Sequence, residues 1–310
     1  MNNNIKISII LVSYNTKKLT IQTIKSIYEK TIGVGFEVIV VDNNSNDGSV
    51  LSIRENFKDV IVIENSLNLG FGIANNIGSE IAQGEYLFFL NTDIVLLNNT
   101  VKILSDYLDE NKKIGAVGGN LFSKNLSPAT SINRLFPGIL SELDTFFFNI
   151  PSKAYFRKNV FFNYLTVPIV FKGNISGAAL MIKKELFEKI GKFDRDFFMY
   201  YEETEMLYRV IKEGYQLASI PKAKIIHLEG ASEDRKEISH RRSFDSKWLY
   251  LNKVKKTKCI YLIHIIFQLT ALQRIFLFCI FQKKEKLNYW KIIKKIENES
   301  FKERTKLNAY

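Results

Sequence analysis

Apolar runs and amphipathic stretches alternate over most of the first 230 residues. Residues 5 to 14, from Ile5 through Leu11 to Tyr14, are rich in β-branched side chains and predict a first buried strand. Helical spacing through Leu19, Ile24, Ile27 and Tyr28 predicts a helix over 17 to 31. A second strand, Phe36 to Val41, stops at Asp42-Asn43-Asn44-Ser45-Asn46-Asp47-Gly48, a segment dense in turn formers. Next come a helix near 49 to 57, a short strand at 60 to 64, the loop Asn65 to Gly72 and a helix over 73 to 82. They lead to Glu85-Tyr86-Leu87-Phe88-Phe89-Leu90-Asn91-Thr92-Asp93, whose unbroken apolar run reads as a strand buried on both faces. Such alternation predicts an α/β architecture with a right-handed, mainly parallel sheet.

Further elements are expected as a helix over 98 to 110, a strand over 114 to 120, a strand over 175 to 182 and a helix over 184 to 190. A last helix opens near Glu202, and a short strand covers 223 to 227. Between 121 and 172 the periodicity fails. Phe146-Phe147-Phe148, Tyr155-Phe156 and Phe161-Phe162 lie there among lysines and asparagines, with Pro137, Pro151 and Pro168. This stretch reads as a variable, partly ordered insertion, its aromatics forming local core rather than a ligand platform.

Composition narrows the class. A chain of 310 residues with 46 % hydrophobic content supports one large or two modest domains. Its two cysteines, Cys259 and Cys279, form no CxxC pair, and no basic-then-apolar leader opens the chain, so a reducing compartment is expected. The net charge of +12 is uneven: residues 235 to 310 hold 19 Lys and Arg against 6 Asp and Glu, residues 1 to 234 hold 25 against 26. The expected division is therefore a neutral body, 1 to 234, and a basic helical extension, 235 to 310.

A basic extension suits nucleic acid or an anionic lipid surface. No basic stripe interleaves with aromatics in the body and no nucleic-acid-binding motif is present, so no nucleic-acid partner is expected. The apolar run 259 to 281 is broken by His264, Gln268, Gln273 and Arg274. A membrane span needs about 20 mostly apolar residues and a central Arg costs about 2.5 to 3.5 kcal/mol, so spanning is not expected. Lys253, Lys255, Lys256 and Lys258 precede the run and Lys283, Lys284 and Lys286 follow it. They favour a helix or helix pair lying on an anionic membrane face, the alternative being a helical subdomain packed on the body.

Candidate chemistry gathers at strand ends. In open α/β sheets ligands bind beyond the carboxyl ends of the strands, where Asp42 and Asp93 fall. The loop Asn68-Leu69-Gly70-Phe71-Gly72 opens a helix whose free N–H groups could face a phosphate. Glu202, Glu203 and Glu205 sit at a helix start, which suits the helix dipole. The aromatic cluster before them would also raise a carboxylate's proton affinity, as a general base needs. His227 closes the last strand.

In order, Ser13-Tyr14-Asn15, Val40-Val41-Asp42-Asn43, Asn68 to Gly72 with Asn75-Asn76, Leu90-Asn91-Thr92-Asp93, Ser176-Gly177-Ala178, Gly191-Lys192-Phe193-Asp194, Phe198 to Glu203 and Ile225-Ile226-His227 resemble family 2 glycosyltransferases. Within that family the chain is most similar to bacterial rhamnosyltransferase-like enzymes of surface-polysaccharide assembly. The resemblance covers roughly residues 5 to 230. It implies a GT-A fold and inverting transfer from a nucleoside-diphosphate sugar, dTDP- or UDP-linked, to a saccharide or lipid-linked acceptor at the cytoplasmic face of a bacterial membrane. It implies Asp93 and His227 as ligands of Mg2+ or Mn2+ and Glu203 as catalytic base. Ser13, Asn15, Asp42, Asn44, Asn68, Gly70, Asn75 and Asn91 would line the nucleotide sugar, with Asp42 on the base. Gly177, Glu202 and Glu205 would shape the sugar and acceptor side. A homodimer is left open.

Two positions depart from the family pattern. Asn91 replaces the first acid of the DxD-like motif, and Glu203 is one methylene longer than the usual Asp. Both motivate a competing expectation, a catalytically silent sugar-nucleotide-binding or scaffold protein. A sugar nucleotidyltransferase would want a glycine-rich phosphate loop where Ser13-Tyr14-Asn15-Thr16 stands.

Overall fold

The computed structural model describes residues 5–228, 236–255 and 259–306. It divides into two units: one of Met1–Arg134, Asn159–Phe198 and Glu202–Ser232, the other of Leu135–Lys158, Met199–Tyr201 and Glu233–Tyr310.

In the first unit the strands are β1 (Ile7–Ser13), β2 (Phe36–Asp42), β3 (Ile61–Glu64), β4 (Tyr86–Leu90), β5 (Ile94–Leu96), β6 (Ile114–Phe122), β7 (Ile132–Asn133), β8 (Ile169–Phe171), β9 (Asn174–Ile175), β10 (Ala179–Lys183) and β11 (Gln216–His227). Its helices are α1 (Lys17–Lys30), α2 (Ser49–Asn56), α3 (Phe71–Ile81), α4 (Thr100–Glu110), α7 (Lys184–Lys189) and α8 (Glu202–Lys212). The second unit holds α5 (Ile139–Phe146), α6 (Ile150–Tyr155), α9 (Lys236–Tyr250), a π-helical turn Leu251–Lys255, α10 (Ile260–Ile280) and α11 (Lys284–Lys306).

The main sheet runs β3-β2-β1-β4-β10-β6-β11-β5, with β8 also paired to β11. From β3 to β4 it is parallel, as the alternation predicts. Beyond β4 it becomes mixed, because β10 lies antiparallel to both β4 and β6. Every residue of β4 is fully buried, and the strand's period of two splits them between two cores. Tyr86, Phe88 and Leu90 meet Ile24, Ile27, Val101, Leu104 and Leu108 on one face. Leu87 and Phe89 meet Ala74, Phe187, Met206 and Leu207 on the other. The result is helix, sheet and helix in three layers, with β4 and β10 at the centre.

Several expectations change. The run 175 to 182 is two strands, because Ser176-Gly177-Ala178 turns between β9 and β10. The last strand is 12 residues long rather than 223 to 227. Pro221 lacks the N–H a ladder needs, and the register to β6 shifts between Ile220 and Lys224. Strand β5, directly after Asp93, was not anticipated.

The stretch 121 to 172 also differs from the expectation. Its flanks are ordered in the first unit, where Asn163 Nδ2 donates to Val167 O and Ser219 O and Asn120 Nδ2 donates to Asn163 O. Its middle, Leu135–Lys158, groups with the C-terminal helices. Phe162 is buried, but Phe147, Phe148 and Tyr155 are exposed and do not form the local core expected of them.

In the second unit Trp248, Tyr250 and Leu251 are fully buried. Lys247 and Glu142 form a buried ion pair at 2.7 Å, and the ammonium lies over the rings of Trp248 and Phe267. Of the basic residues expected to flank the apolar run, Lys256, Lys258 and the side chain of Lys255 lie outside the described residues.

Candidate active site

Register places the site. Ser13 pairs with Asp42 at the ends of β1 and β2. Asp42 is 2 % exposed; its Oδ1 accepts the Ser45 N–H at 2.7 Å, while Oδ2 has no partner among the described residues. A buried carboxylate oxygen left open at a strand end suits a ligand N–H. Asn15, exposed with φ 53°, latches the two loops: its N–H donates to Ser45 Oγ and its Oδ1 accepts the Asn46 N–H. Asn44 is exposed with φ 68°.

Asn43, not singled out from the sequence, organises this end of the sheet. Its Nδ2 reaches Asn68 Oδ1 and Gly70 O, and its Oδ1 accepts from Asn65 Nδ2. Asn68 Oδ1 in turn accepts the Gly70 N–H at 3.0 Å. Gly70, with φ 81°, is required here: a methyl at this position would come within 2.1 Å of the Phe198 carbonyl oxygen. The Phe71 N–H donates to that same oxygen, so the loop before α3 rests on the aromatic segment before α8. Asn75 is fully buried and donates to Phe71 O of its own helix, whereas its neighbour Asn76 holds the backbone of Phe193 from both sides.

Asp93 and His227 meet through a device the sequence pattern did not disclose. β5 pairs antiparallel with β11, setting Ile94 opposite His227, and the Leu228 N–H donates to Asp93 O. His227 Nε2 then lies 3.3 Å from Asp93 Oδ1. Thr23 of α1 fixes the turn from beneath: its hydroxyl lies 2.6 Å from Thr92 O and 2.7 Å from Ile94 O, and accepts the Ile94 N–H. Asn91, partly buried, is tied by its N–H to Ala178 O.

A carboxylate and an imidazole side by side are a donor set that suits a divalent cation. Among the described residues no group of three or more His, Cys, Asp or Glu could hold a metal. Two protein ligands fit an ion that completes its shell with diphosphate oxygens and water.

Helix α8 begins with Glu202, Glu203 and Glu205 in its first turn. Just before it, Tyr200 and Tyr201 both adopt positive φ, 69° and 66°, a costly backbone for aromatic residues. Burial raises the Glu203 carboxyl above the usual carboxylate range. Burial, and then the adjacent Glu203 charge, push Glu202 well above that range, and its Oε2 has no partner among the described residues. Glu203 is oriented by Thr204 Oγ1 at 3.1 Å and Asn174 Nδ2 at 3.4 Å, and Asn174 also donates to Thr204. Gly177 lies against it, since a methyl there would stand 3.4 Å from Glu203 Cγ.

Glu205 does not fit the acceptor-side role expected of it. Arg209 one turn later takes its carboxylate with Nε and Nη2 and binds Ile190 O and Lys192 O as well, a structural clamp. Only the i, i+4 spacing of Glu205 and Arg209 hinted at this pair.

Residues 8–191 match the family model described as Glycosyl transferase family 2. A low-salt glycan biosynthesis hexosyltransferase of Haloferax volcanii is 26 % identical over 79 % of this chain and 74 % of its own length. An N-acetylglucosaminyl-diphospho-decaprenol L-rhamnosyltransferase of Mycobacterium tuberculosis is 24 % identical over 66 % of this chain and 70 % of its own. Among solved structures, a mannosyltransferase of Pyrobaculum calidifontis in complex with GDP-Man and Mn2+ superposes with a TM-score of 0.61, covering 100 % of this chain and 88 % of that one at 16 % identity. GalNAc-T7 with UDP, GalNAc and Mn2+ gives 0.59, covering 81 % of this chain and 48 % of that one at 17 % identity. The structural likeness shows the fold alone, the GT-A architecture. By the family match over more than half of its length, the chain belongs to glycosyltransferase family 2.

Proposed function

We propose that this glycosyltransferase inverts the anomeric carbon, moving a hexosyl group, with rhamnose the leading candidate, from a dTDP- or UDP-sugar to a hydroxyl of a polysaccharide or lipid-linked precursor at the cytoplasmic membrane face. The observation that carries the reading is the 3.3 Å approach of Asp93 and His227 at the same sheet edge as the open Asp42 oxygen. Parallel pairing of β11 with β6, both opposed to β10, brings the ends of β1, β2, β4 and β11 to that edge.

In this reading Asp42 and the Asn43-held loops take the nucleotide. Asp93 and His227 would hold Mg2+ or Mn2+, which would supply charge neutralisation for the departing diphosphate. The acceptor oxygen attacks the anomeric carbon from the face opposite the diphosphate. As the new C–O bond forms, the old one breaks, its electron pair leaves with the diphosphate, and the hydroxyl proton passes to Glu203. A raised carboxyl suits that role, because a base works best with its pKa near the working pH.

Glu203→Gln keeps shape and removes the base. Transfer should fall about 10² to 10⁴-fold with nucleotide affinity unchanged. Unaltered transfer would remove Glu203 from the mechanism.

A further inference from the structure

Helix α10 buries one set of apolar side chains, Ile260, Ile263, Ile266 and Ala271, together with polar ones, and exposes a second apolar set. Ile265, Leu269, Leu272, Phe276 and Ile280 recur three or four residues apart, which puts them on one face, and each is 50–64 % exposed. Its inward side carries Thr270 and Arg274, both buried. Arg274 Nη2 donates to Thr145 O at 2.7 Å and the guanidinium stacks 3.5 Å from the Phe148 ring centre. His264 Nδ1 lies 3.0 Å from Glu297 Oε1, and Gln268 donates to the other oxygen of the fully buried Glu297.

The helix is long and apolar enough to cross a membrane by length and composition. These contacts argue against crossing, since each inward polar group is satisfied within the second unit and would lose its partner in hydrocarbon. An apolar stripe with satisfied groups behind it suits a helix lying in the plane of a bilayer. Lys283, Lys284 and Lys286 are exposed just past its end, and Lys291 and Lys295 are exposed along α11. Tyr261 and Tyr289, also exposed, suit the headgroup level. The charge selects the occupant: a second copy docked on the stripe would set these lysines against their own kind, whereas anionic headgroups neutralise them.

Resting on the membrane-side location proposed above, we infer that the outer face of α10 docks in plane, without crossing, into an anionic lipid surface. The test uses the full chain with vesicles of phosphatidylcholine alone or with phosphatidylglycerol. A Cys259→Ser background labelled at the exposed Cys279 with an environment-sensitive dye reads entry into lipid. Binding to anionic vesicles should exceed binding to neutral ones about tenfold or more and weaken with salt. Leu269→Ser/Leu272→Ser/Phe276→Ser together should weaken it about a hundredfold.

Circular dichroism checks that the triple variant keeps its helices, and Lys283→Glu/Lys284→Glu/Lys286→Glu gives an independent route through exposed residues. Nucleotide binding, measured on the same samples, should be unchanged in both. Its absence in the wild type would count against the transferase reading and leave the lipid result standing. Wild-type failure to bind either vesicle, binding indifferent to the stripe, or a dimer that the triple variant splits would each overturn the lipid surface.

Discussion

The two units differ in what they leave open. In the first, apolar side chains fill both faces of the sheet, and two buried carboxylate oxygens at the site, Asp42 Oδ2 and Glu202 Oε2, have no hydrogen-bond partner among the described residues. In the second, Arg274, His264 and Gln268 of α10 are satisfied internally, and a stripe of that helix's apolar residues faces outward. An open polar acceptor in a dry setting points to a polar ligand that fits it, and an open apolar stripe points to an apolar partner.

The contrast breaks most sharply at Thr23. Thr23→Val would leave the Ile94 N–H and a neighbouring carbonyl without partners, at a cost of roughly 2–4 kcal/mol by urea denaturation. It should also loosen Asp93 and weaken metal-dependent nucleotide binding. Thr23→Ser should restore both, and a harmless Thr23→Val would mean the turn is held without it.

In the second unit the usual order of substitutions should invert. Arg274→Leu removes a buried donor from Thr145 O and should cost about 1–3 kcal/mol. Leu272→Ser, outside, should change stability by less than about 0.5 kcal/mol without lipid. The reverse order would deny that Arg274 is held inward and Leu272 left open.

A smaller effect separates the units by pH. The Glu202 and Glu203 carboxyls are raised on folding, so the stability tied to their protonation is fully present below the unfolded carboxylate pKa of 4.5 and lost as pH climbs through the raised values. Glu202→Gln should therefore melt higher than the wild type at neutral pH, the difference closing on acidification. A difference independent of pH would refute the buried charge.

Much of the site was legible because its strands are buried on both faces and end in unlike residues. Tyr86 to Leu90 could be little else than a central strand, and Asp93 follows it. β5 was hidden because its three residues owe their strand to pairing with β11, not to any period of their own. Residues 175 to 182 read as one strand because Gly177 breaks the pairing without breaking the apolar run. Asn43 and Thr23 act through hydrogen bonds to distant backbone, which no local pattern records. In α10 the polar residues read as interruptions of an apolar stripe. His264, Gln268 and Arg274 instead bond inward beside the buried Ile263, Ile266 and Ala271, and the exposed stripe lies on the other side.

The most direct test of the site is calorimetric binding of dTDP and UDP, each with and without Mn2+ or Mg2+, to the wild type and to Asp93→Ala. Binding strengthened by metal in the wild type, with that gain lost in Asp93→Ala, is the predicted result. Binding of neither nucleotide under any metal condition, or a metal effect that survives Asp93→Ala, would contradict it.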